Sequence, residues 1–268
     1  MRIAIGSLCL LLLASFGLAQ NSTQTPQPTI QVCALTVVTN DLPEADRRRI
    51  EDSLQGGTYG VQELAERVRL SLLDLGYYSA RAENPQLSQI NEGSKLHSAE
   101  VSIQVEPGAQ YRLGEIGFHG ASLFPPDRLR RLFPNETGSL FNATGIGKGL
   151  ERLKDLYLEN GYINFGAIPL TRIDEAHRVI ELTIGVDEGK PYDFGRLIMD
   201  GIEPRAGVAK ALLAAWTGIE GKRYNPQLLA KWLAANAPSV QRGEDSPGRV
   251  TTHQDQAAHR IDVQLEFP

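Results

Sequence analysis

One stretch of the sequence repeats at a fixed offset of 81 residues. VEPGAQYRLGEIGFHG, at positions 105–120, returns as VDEGKPYDFGRLIMDG at positions 186–201 with no insertion. Among the matched positions are Gly108 with Gly189 and Tyr111 with Tyr192. A fixed period of this size indicates an array of similar modules that support one another by packing against their neighbours.

The same offset extends the repeat towards both ends of the chain. Alternating apolar residues close each copy, at Val101/Ile103/Val105, Leu182/Ile184/Val186 and Val263/Leu265/Phe267. A second set opens each copy, at Val32/Leu35/Val37, Leu113/Ile116/Phe118 and Phe194/Leu197/Met199. Apolar residues with a period near two predict β-strands. We therefore expect three modules, over residues 30–107, 108–188 and 189–268.

The amino-terminal residues 1–19 have the features of a secretory signal peptide. Arg2 precedes an apolar run from Ile3 to Leu18, and small residues lead up to Ala19. We expect cleavage there, followed by a polar linker over residues 20–29. The alternative, an uncleaved anchor, needs about 20 apolar residues, and this run is shorter and contains glycines and serines. A lipoprotein signal is disfavoured because Cys9 lies inside the apolar run.

Charge and cysteine content exclude two further classes. The formal net charge is −5, and no block of basic residues is present, so the chain is a poor candidate for binding nucleic acid. After cleavage Cys33 is the sole cysteine, and no intramolecular disulfide can form. Its position in the apolar segment CALTVV predicts a packed core thiol. The alternative is a reactive thiol.

The first module is predicted to run strand, helix, helix, strand, strand. IQVCALTVVT is the first strand, and a helix begins at Leu42–Asp46 and stops at Gly56–Gly57. The second helix places apolar residues on one face and ends at Gly76; these residues are Val61, Leu64, Val68, Leu72 and Leu75. YYSARAE and HSAEVSIQVE follow as strands joined by a polar loop around Asn91–Gly93.

The second and third modules repeat this order. In the second, GIGKGLERLKDLYLEN predicts a helix, and GYINFGAI and HRVIELTIGV predict a hairpin. Its GIGKG segment lacks the first glycine and the Ser or Thr of a phosphate-binding loop, so we interpret it as structural. In the third, two helical segments lead to a polar stretch that predicts a long hairpin loop or a weak strand at Val250. The fold class is α+β, in three tandem two-layer β-α-α-β-β modules.

This order resembles the POTRA (polypeptide-transport-associated) domain. The resemblance rests on V-D-E-G-K-P-Y-D-F-G at the junction and on L-Y-L-E-N-G-Y before the second strand of the second module. POTRA domains stand in tandem before the barrel of the outer-membrane assembly factor and related two-partner secretion transporters. Such a barrel needs at least about 8 strands. Because the chain ends at Pro268 with the last strand of the third module, we expect no barrel here.

The resemblance implies a periplasmic scaffold for outer-membrane β-barrel proteins, unfolded clients or accessory subunits. It implies no cofactor, and membrane contact only through a barrel partner. Binding would occur by β-augmentation, in which an extended segment adds to an open sheet edge. In the family the second strand of each module is that edge, here residues 77–83 and 162–168. The candidate binding residues are Tyr77, Tyr78, Tyr162, Ile163 and Phe165, and the junction residues are Gly108, Tyr111, Gly189 and Tyr192. The alternative is that the edge side chains pack under their own helices.

No motif in the sequence predicts catalysis. The histidines lack the HExxH spacing of a metal site, and GxSxG is absent; the histidines are His97, His119, His177, His253 and His259. We predict no catalytic, cofactor or metal site and expect a non-enzymatic scaffold. The alternative is a hydrolase or cell-wall-binding protein with a site in the third module around Arg249 to Arg260. Such a site should bury polar residues there.

Overall fold

The computed structural model describes residues 29–91, 97–201, 206–240 and 249–267. Within these ranges the fold is α+β, in three tandem two-layer modules that each contain one sheet and two helices. The predicted fold class is thereby confirmed, and the exact module boundaries stay a prediction. The predicted signal peptide, the predicted linker up to residue 28 and residues 241–248 of the predicted hairpin loop lie outside the described residues.

The first module has one sheet with strand order β2-β1-β5-β3, and β4 also pairs with β5. Strands β1 and β5 are parallel, whereas β2, β3 and β4 are antiparallel to their partners. Its elements are β1 (Thr29–Val38), α1 (Glu44–Leu54), β2 (Thr58–Gly60), α2 (Val61–Asp74), β3 (Arg81–Ala82), β4 (Gln86–Asn91) and β5 (His97–Glu106). As predicted, α2 buries Leu64, Val68 and Leu72.

The second and third modules each have a three-stranded sheet, of order β6-β8-β7 and β10-β11-β9. The second contains β6 (Arg112–His119), α3 (Pro126–Arg130), α4 (Ala143–Leu158), β7 (Gly166–Asp174) and β8 (Val179–Asp187). The third contains β9 (Asp193–Gly201), α5 (Ala206–Trp216), α6 (Pro226–Val240), β10 (Arg249–Asp255) and β11 (Arg260–Phe267). Val250 therefore lies in a strand, which was one of its two predicted states.

The chain forms two compact units, and the division between them runs through the second module. The first unit contains the described residues up to Gly117 with Arg130–Gly149 and Pro169–Ile184, and the second contains the remainder. In the first unit, Ile50, Leu64 and Val101 belong to an apolar core. In the second unit, Phe194, Trp216 and Val263 do so. Each unit therefore contains one of the two junctions that the repeat marks.

The predicted second strands begin later than expected. Tyr77 and Tyr78 precede β3, which is only Arg81–Ala82, and Tyr162, Ile163 and Phe165 precede β7. Residues after each helix are used to end it: Tyr77 N–H donates to Leu72 O at 3.0 Å and Tyr162 N–H to Tyr157 O at 3.0 Å. A turn follows each of these bonds before the chain extends. The prediction that these five residues lie on edge strands is wrong.

A strand was also missed in the first module. Gln86–Asn91, predicted as part of a polar loop, forms β4 against β5. Its sequence, QLSQIN, shows no strict alternation of apolar and polar residues. An edge strand does not need one, because most of its surface can remain in water. Pairing with an apolar neighbour, rather than its own composition, makes this segment a strand.

A β-bulge explains the position of Cys33. Val32 lies opposite Ala99 and Ala34 opposite Glu100, so Cys33 is an extra residue in β1. The bulge leaves the Cys33 side chain exposed, and the prediction of a packed core thiol is wrong. The three-residue step from Val32 to the next buried residue, Leu35, is the sequence trace of this bulge. An equivalent step occurs in β9 between Phe194 and Leu197.

Glycines in α4 allow neighbouring segments to approach the helix closely. A Cβ on Gly145 would overlap the Asn135 side chain, and one on Gly149 would overlap the Phe133 ring. The Gly147 position has no atom within 4 Å. GIGKG thus lies within a helix, in agreement with its interpretation as structural.

These two environments predict opposite effects of the same substitution. We expect Gly149→Ala to destabilise the protein by roughly 1–3 kcal/mol, because the added methyl group overpacks against Phe133. We expect Gly147→Ala to stabilise it by about 0.5–1 kcal/mol through helix propensity. Urea unfolding followed by circular dichroism measures both. Equal effects of the two variants would contradict the packing described for Gly149.

Candidate functional site

The second module exposes a continuous apolar edge strand. β7 is nine residues long and lies at the edge of the order β6-β8-β7. Ile168 and Leu170 are 60% and 56% exposed, and Arg172, two residues further along the same face, pairs with Glu181 on β8. An open edge with exposed apolar side chains is a ready template for another extended chain. We take β7 as the candidate binding edge.

The corresponding edges of the other modules differ from β7. In the first module the edge is interrupted, because its pairing with β5 changes register between Ser88 and Asn91 and is split between β3 and β4. In the third module β10 pairs regularly with β11, but its exposed side chains are polar and include Thr252, His253 and Gln254. Of the three edges compared, β7 is therefore the one that is both uninterrupted and lined by exposed apolar side chains.

The opposite edges of the second and third sheets are partly covered by the protein itself. Leu113 N–H on β6 donates to Ser139 O at 2.8 Å, and Phe194 N–H on β9 donates to Lys222 O at 2.8 Å. These bonds use donors that an incoming strand would otherwise take. In the second module they leave β7 as the other, less covered edge of the sheet.

The predicted edge residues of the second module belong to an aromatic cluster. Phe165 stacks on Tyr157 with ring centroids 4.2 Å apart, and Tyr162 and Phe124 meet the same ring edge to face at 5.8 and 5.2 Å. Tyr157 is fully buried. These residues fix the start of β7 by packing, as the alternative interpretation expects. A partner-binding role for Tyr162, Ile163 and Phe165 stays an untested prediction.

The two tyrosines of the first module also make contacts within the protein. Tyr77 is buried, and its hydroxyl donates to Asp46 Oδ2 at 2.8 Å. Burial first, and then this hydrogen bond, raises the pKa of Tyr77 to about 12. Tyr78 packs edge to face on Phe141 at 5.4 Å, and its hydroxyl lies 3.2 Å from Thr171 Oγ1 on β7. Tyr78 thus contacts β7 on the sheet face opposite to Ile168 and Leu170.

Glu188 anchors the loop that follows β6. Its carboxylate accepts hydrogen bonds from Ser122 N–H at 2.7 Å, Leu123 N–H at 2.9 Å and the Tyr157 hydroxyl at 2.7 Å, with a further bond from Ser122 Oγ. Burial raises the pKa of Glu188, but these donors outweigh burial and lower the pKa to about 2. Burial and the Glu188 contact raise the pKa of Tyr157. The ionised carboxylate of Glu188 therefore holds this loop in place through its hydrogen bonds.

The predicted junction residues make the same contacts in both junctions. Tyr111 N–H donates to Gly76 O and Tyr192 N–H to Gly161 O, each at 2.8 Å. Gly76 and Gly161 have φ of +89° and +84°, and a Cβ on them would lie 2.8 and 2.6 Å from the carbonyl oxygen of the same tyrosine. Gly108 and Gly189 also have positive φ, of +69° and +65°. At Gly76 and Gly161, only glycine can adopt the left-handed conformation and also leave room for the tyrosine carbonyl group.

A hairpin residue in left-handed conformation contacts each junction tyrosine. Arg178 has φ of 56° and lies 5.7 Å over the Tyr111 ring, and His259 has φ of 50° and meets the Tyr192 ring at 5.5 Å. Both carbonyl oxygens accept from the residue after the tyrosine, Arg112 or Asp193. Neither residue was predicted to lie at a junction. Their signal was the match at the 81-residue offset of DEAHRV with DQAAHR.

Among the third-module residues that the structure describes, those from Arg249 to Arg260 are exposed or half-buried and do not form the buried polar cluster that the alternative function requires. Arg249, Thr252 and His253 are exposed in the hairpin of β10 and β11. A buried carboxylate nearby, Asp262, accepts hydrogen bonds from the backbone and guanidinium of Arg196 at 2.8 and 2.9 Å. Within the described ranges, no group of three or more His, Cys, Asp or Glu side chains is arranged to hold a metal ion. None of the helices described is long and apolar enough to cross a membrane.

The second module matches a known family. The model of the POTRA family, described as "Surface antigen variable number repeat", matches residues 111–189. The outer membrane protein assembly factor BamA of Buchnera aphidicola is 23% identical over 170 residues, which are 59% of this chain and 27% of that protein. The Neisseria meningitidis BamA is 24% identical over 149 residues, 50% of this chain and 18% of that protein. This chain therefore spans about a quarter or less of the length of these curated relatives.

The fold comparison covers nearly the whole chain. The crystal structure of Haemophilus influenzae BamA POTRA3-5 superposes with a TM-score of 0.59 and 18% identity, covering 90% of this chain and 97% of that one. The fold and the junctions thus define a tandem array of POTRA-like domains. More particularly, this array resembles the POTRA segment of the outer membrane protein assembly factor.

The low pKa of Glu188 predicts a pH dependence. Its folded pKa of about 2 lies below the ordinary value of 4.5, so the folded state binds the proton more weakly than the unfolded state. The stabilisation is complete above about pH 4.5 and is lost as the pH falls towards 2. Glu188→Gln should reduce the slope of unfolding free energy against pH in this window. Urea unfolding of both proteins between pH 2 and 6 measures the difference, and identical slopes would contradict the anchoring role.

Proposed function

We propose that this protein is an exported, periplasmic interaction scaffold for outer-membrane protein assembly or polypeptide transport. The tandem POTRA-like fold and the names of the relatives support this function. The observation that carries the proposal is the exposed apolar edge β7, in the module that the family model matches. The predicted signal peptide supports export. The protein's role would be binding, without a chemical step of its own.

Binding would occur by β-augmentation at β7. Proline is tolerated in an edge strand when its nitrogen faces away from the existing ladder. Pro169 therefore supports an orientation in which the backbone groups of Thr171 and Ile173 also face the open side, since alternate residues of a strand share a side. An extended client would hydrogen-bond to these groups and place its own side chains beside Ile168 and Leu170.

The energetics favour weak binding that depends little on sequence. Each backbone hydrogen bond contributes about 0.5–1.5 kcal/mol net, and completing the burial of an already half-covered leucine or isoleucine adds roughly 1 kcal/mol. Ordering each client residue costs about 1–2 kcal/mol. These terms nearly cancel, so a client can be held briefly and released. Such binding suits a scaffold for many sequences.

Unfolded outer-membrane β-barrel proteins fit this edge as clients. Their strands alternate apolar and polar residues with a period of two. Every second side chain of such a segment would lie on the same sheet face as Ile168 and Leu170 and would be apolar. Accessory assembly subunits with an exposed extended segment could use the same edge.

Photocrosslinking in intact cells tests this proposal. A photoreactive phenylalanine at Leu170 should give adducts with outer-membrane β-barrel proteins or assembly subunits, identified by mass spectrometry. The same probe at Thr252, exposed on the polar edge strand β10, is the matched control and should give few such adducts. Ile168→Lys should reduce the Leu170 adducts, because a charge on an edge strand disfavours pairing.

The outcomes separate the proposal from its alternatives. Equal adducts from both positions would contradict a specific edge at β7. Absence of adducts from Leu170, with the protein folded and exported, would contradict β-augmentation there. Adducts from Thr252 alone would move the binding surface to the third module.

A further inference from the structure

An acidic residue stands at the C-terminal end of the second helix in each of the first two modules. Asp74 is the last residue of α2, and Glu159 directly follows the last residue of α4. A carboxylate at this end is unfavourable, because the helix dipole is negative there. Neither helix has a basic residue in its last turn. A local rule broken at the same place in two modules indicates a role outside the helix itself.

Each of these acids lies at the start of the second helix of the following module. Asp74 Oδ1 accepts a hydrogen bond from Thr144 N–H in the first turn of α4 at 2.8 Å. Glu159 Oε1 accepts one from the Gln227 side chain, in the first turn of α6. The positive end of the next helix thus stabilises a charge that its own helix disfavours. The acids serve the contact between successive modules.

An asparagine completes the contact in both junctions. Asn142 caps α4 by accepting from Gly145 N–H, and Asn225 caps α6 by accepting from Gln227 N–H at 2.8 Å and Leu228 N–H at 3.1 Å. The amide groups of the same side chains donate to the preceding module, Asn142 to Asp74 O at 3.4 Å and Asn225 to Glu159 O at 3.0 Å.

The side-chain amide of asparagine performs both tasks, because its oxygen accepts hydrogen bonds from the helix and its nitrogen donates to the preceding module. Serine and aspartate can cap a helix, but ionised aspartate has no proton to donate. The equivalent helix of the first module, α2, begins after Gly60, which has no side-chain cap. The two asparagines therefore coincide with the two places where one module follows another.

We infer that these residues form an intermodule lock: the acid at the end of one helix and the asparagine cap of the next fix the angle between successive modules. The lock acts beside the Gly76–Tyr111 and Gly161–Tyr192 backbone bonds. The lock adds an attachment two residues earlier in the chain than the glycine carbonyl group, at Asp74 or Glu159. Each added attachment further restricts rotation at the junction. This inference goes beyond client binding and is independent of it.

Pulsed electron paramagnetic resonance tests the lock at the second junction. Spin labels at Asp155→Cys on α4 and Ala234→Cys on α6, with the protein's own cysteines replaced by serine, report the distance distribution across the junction. Asn225→Asp keeps the helix cap, removes the donor and places a negative charge beside Glu159. We expect a broader, shifted distribution and a melting temperature within about 4 °C of the parent. Asn225→Ser, which introduces no charge, should broaden the distribution less.

Asn236→Asp is the matched control for this experiment. It makes the same chemical change inside α6, the helix that Asn225 caps, but the Asn236 amide donates to Trp232 O within α6. This variant should leave the distribution as narrow as in the parent. An unchanged distribution in Asn225→Asp, or equal broadening in both aspartate variants, would overturn the lock.

Discussion

A backbone hydrogen bond at each junction is the constraint on which the arrangement of this protein depends. The carbonyl group of a helix-ending glycine, Gly76 or Gly161, accepts from the tyrosine that opens the next module. The glycine must be left-handed to end its helix and must lack a Cβ to let the tyrosine backbone approach. The same set of contacts, between the glycine, the tyrosine and a hairpin residue, occurs at both junctions; the hairpin residue is Arg178 at the first and His259 at the second. Each junction lies within one compact unit of the chain.

The candidate site is the part of an edge strand that the junctions and the helix-ending turns do not use. The residues after each helix are used for capping, so the second strand starts several residues later and its open length is set by the hairpin. In the first module this edge is interrupted, and in the third it is polar. In the second module the edge is continuous and carries Ile168 and Leu170. Three copies of one fold therefore provide three chemically different edges.

The sequence predicted the modules and the junctions because both depend on residues with strict requirements. Glycines with positive φ and a buried tyrosine cannot be exchanged freely, so the repeat preserves them. The start of β7 could not be predicted, because Tyr162 and Phe165 have strand propensity but are held by hydrogen bonding and stacking that only the fold creates. Cys33 was placed wrongly although the three-residue step between Val32 and Leu35 records its bulge. Asn142 and Asn225 were missed because their second partner lies in another module.

Pro169 has a consequence for solubility. A long apolar edge is also a template for pairing with identical edges, which leads to aggregation. Proline offers no N–H, so β7 has no backbone donor at position 169, while the side chains of Ile168 and Leu170 stay exposed. Replacement by valine would restore the missing donor and raise β-propensity at the same point. Pro169 thus limits the pairing of this exposed apolar edge with the same edge of another copy.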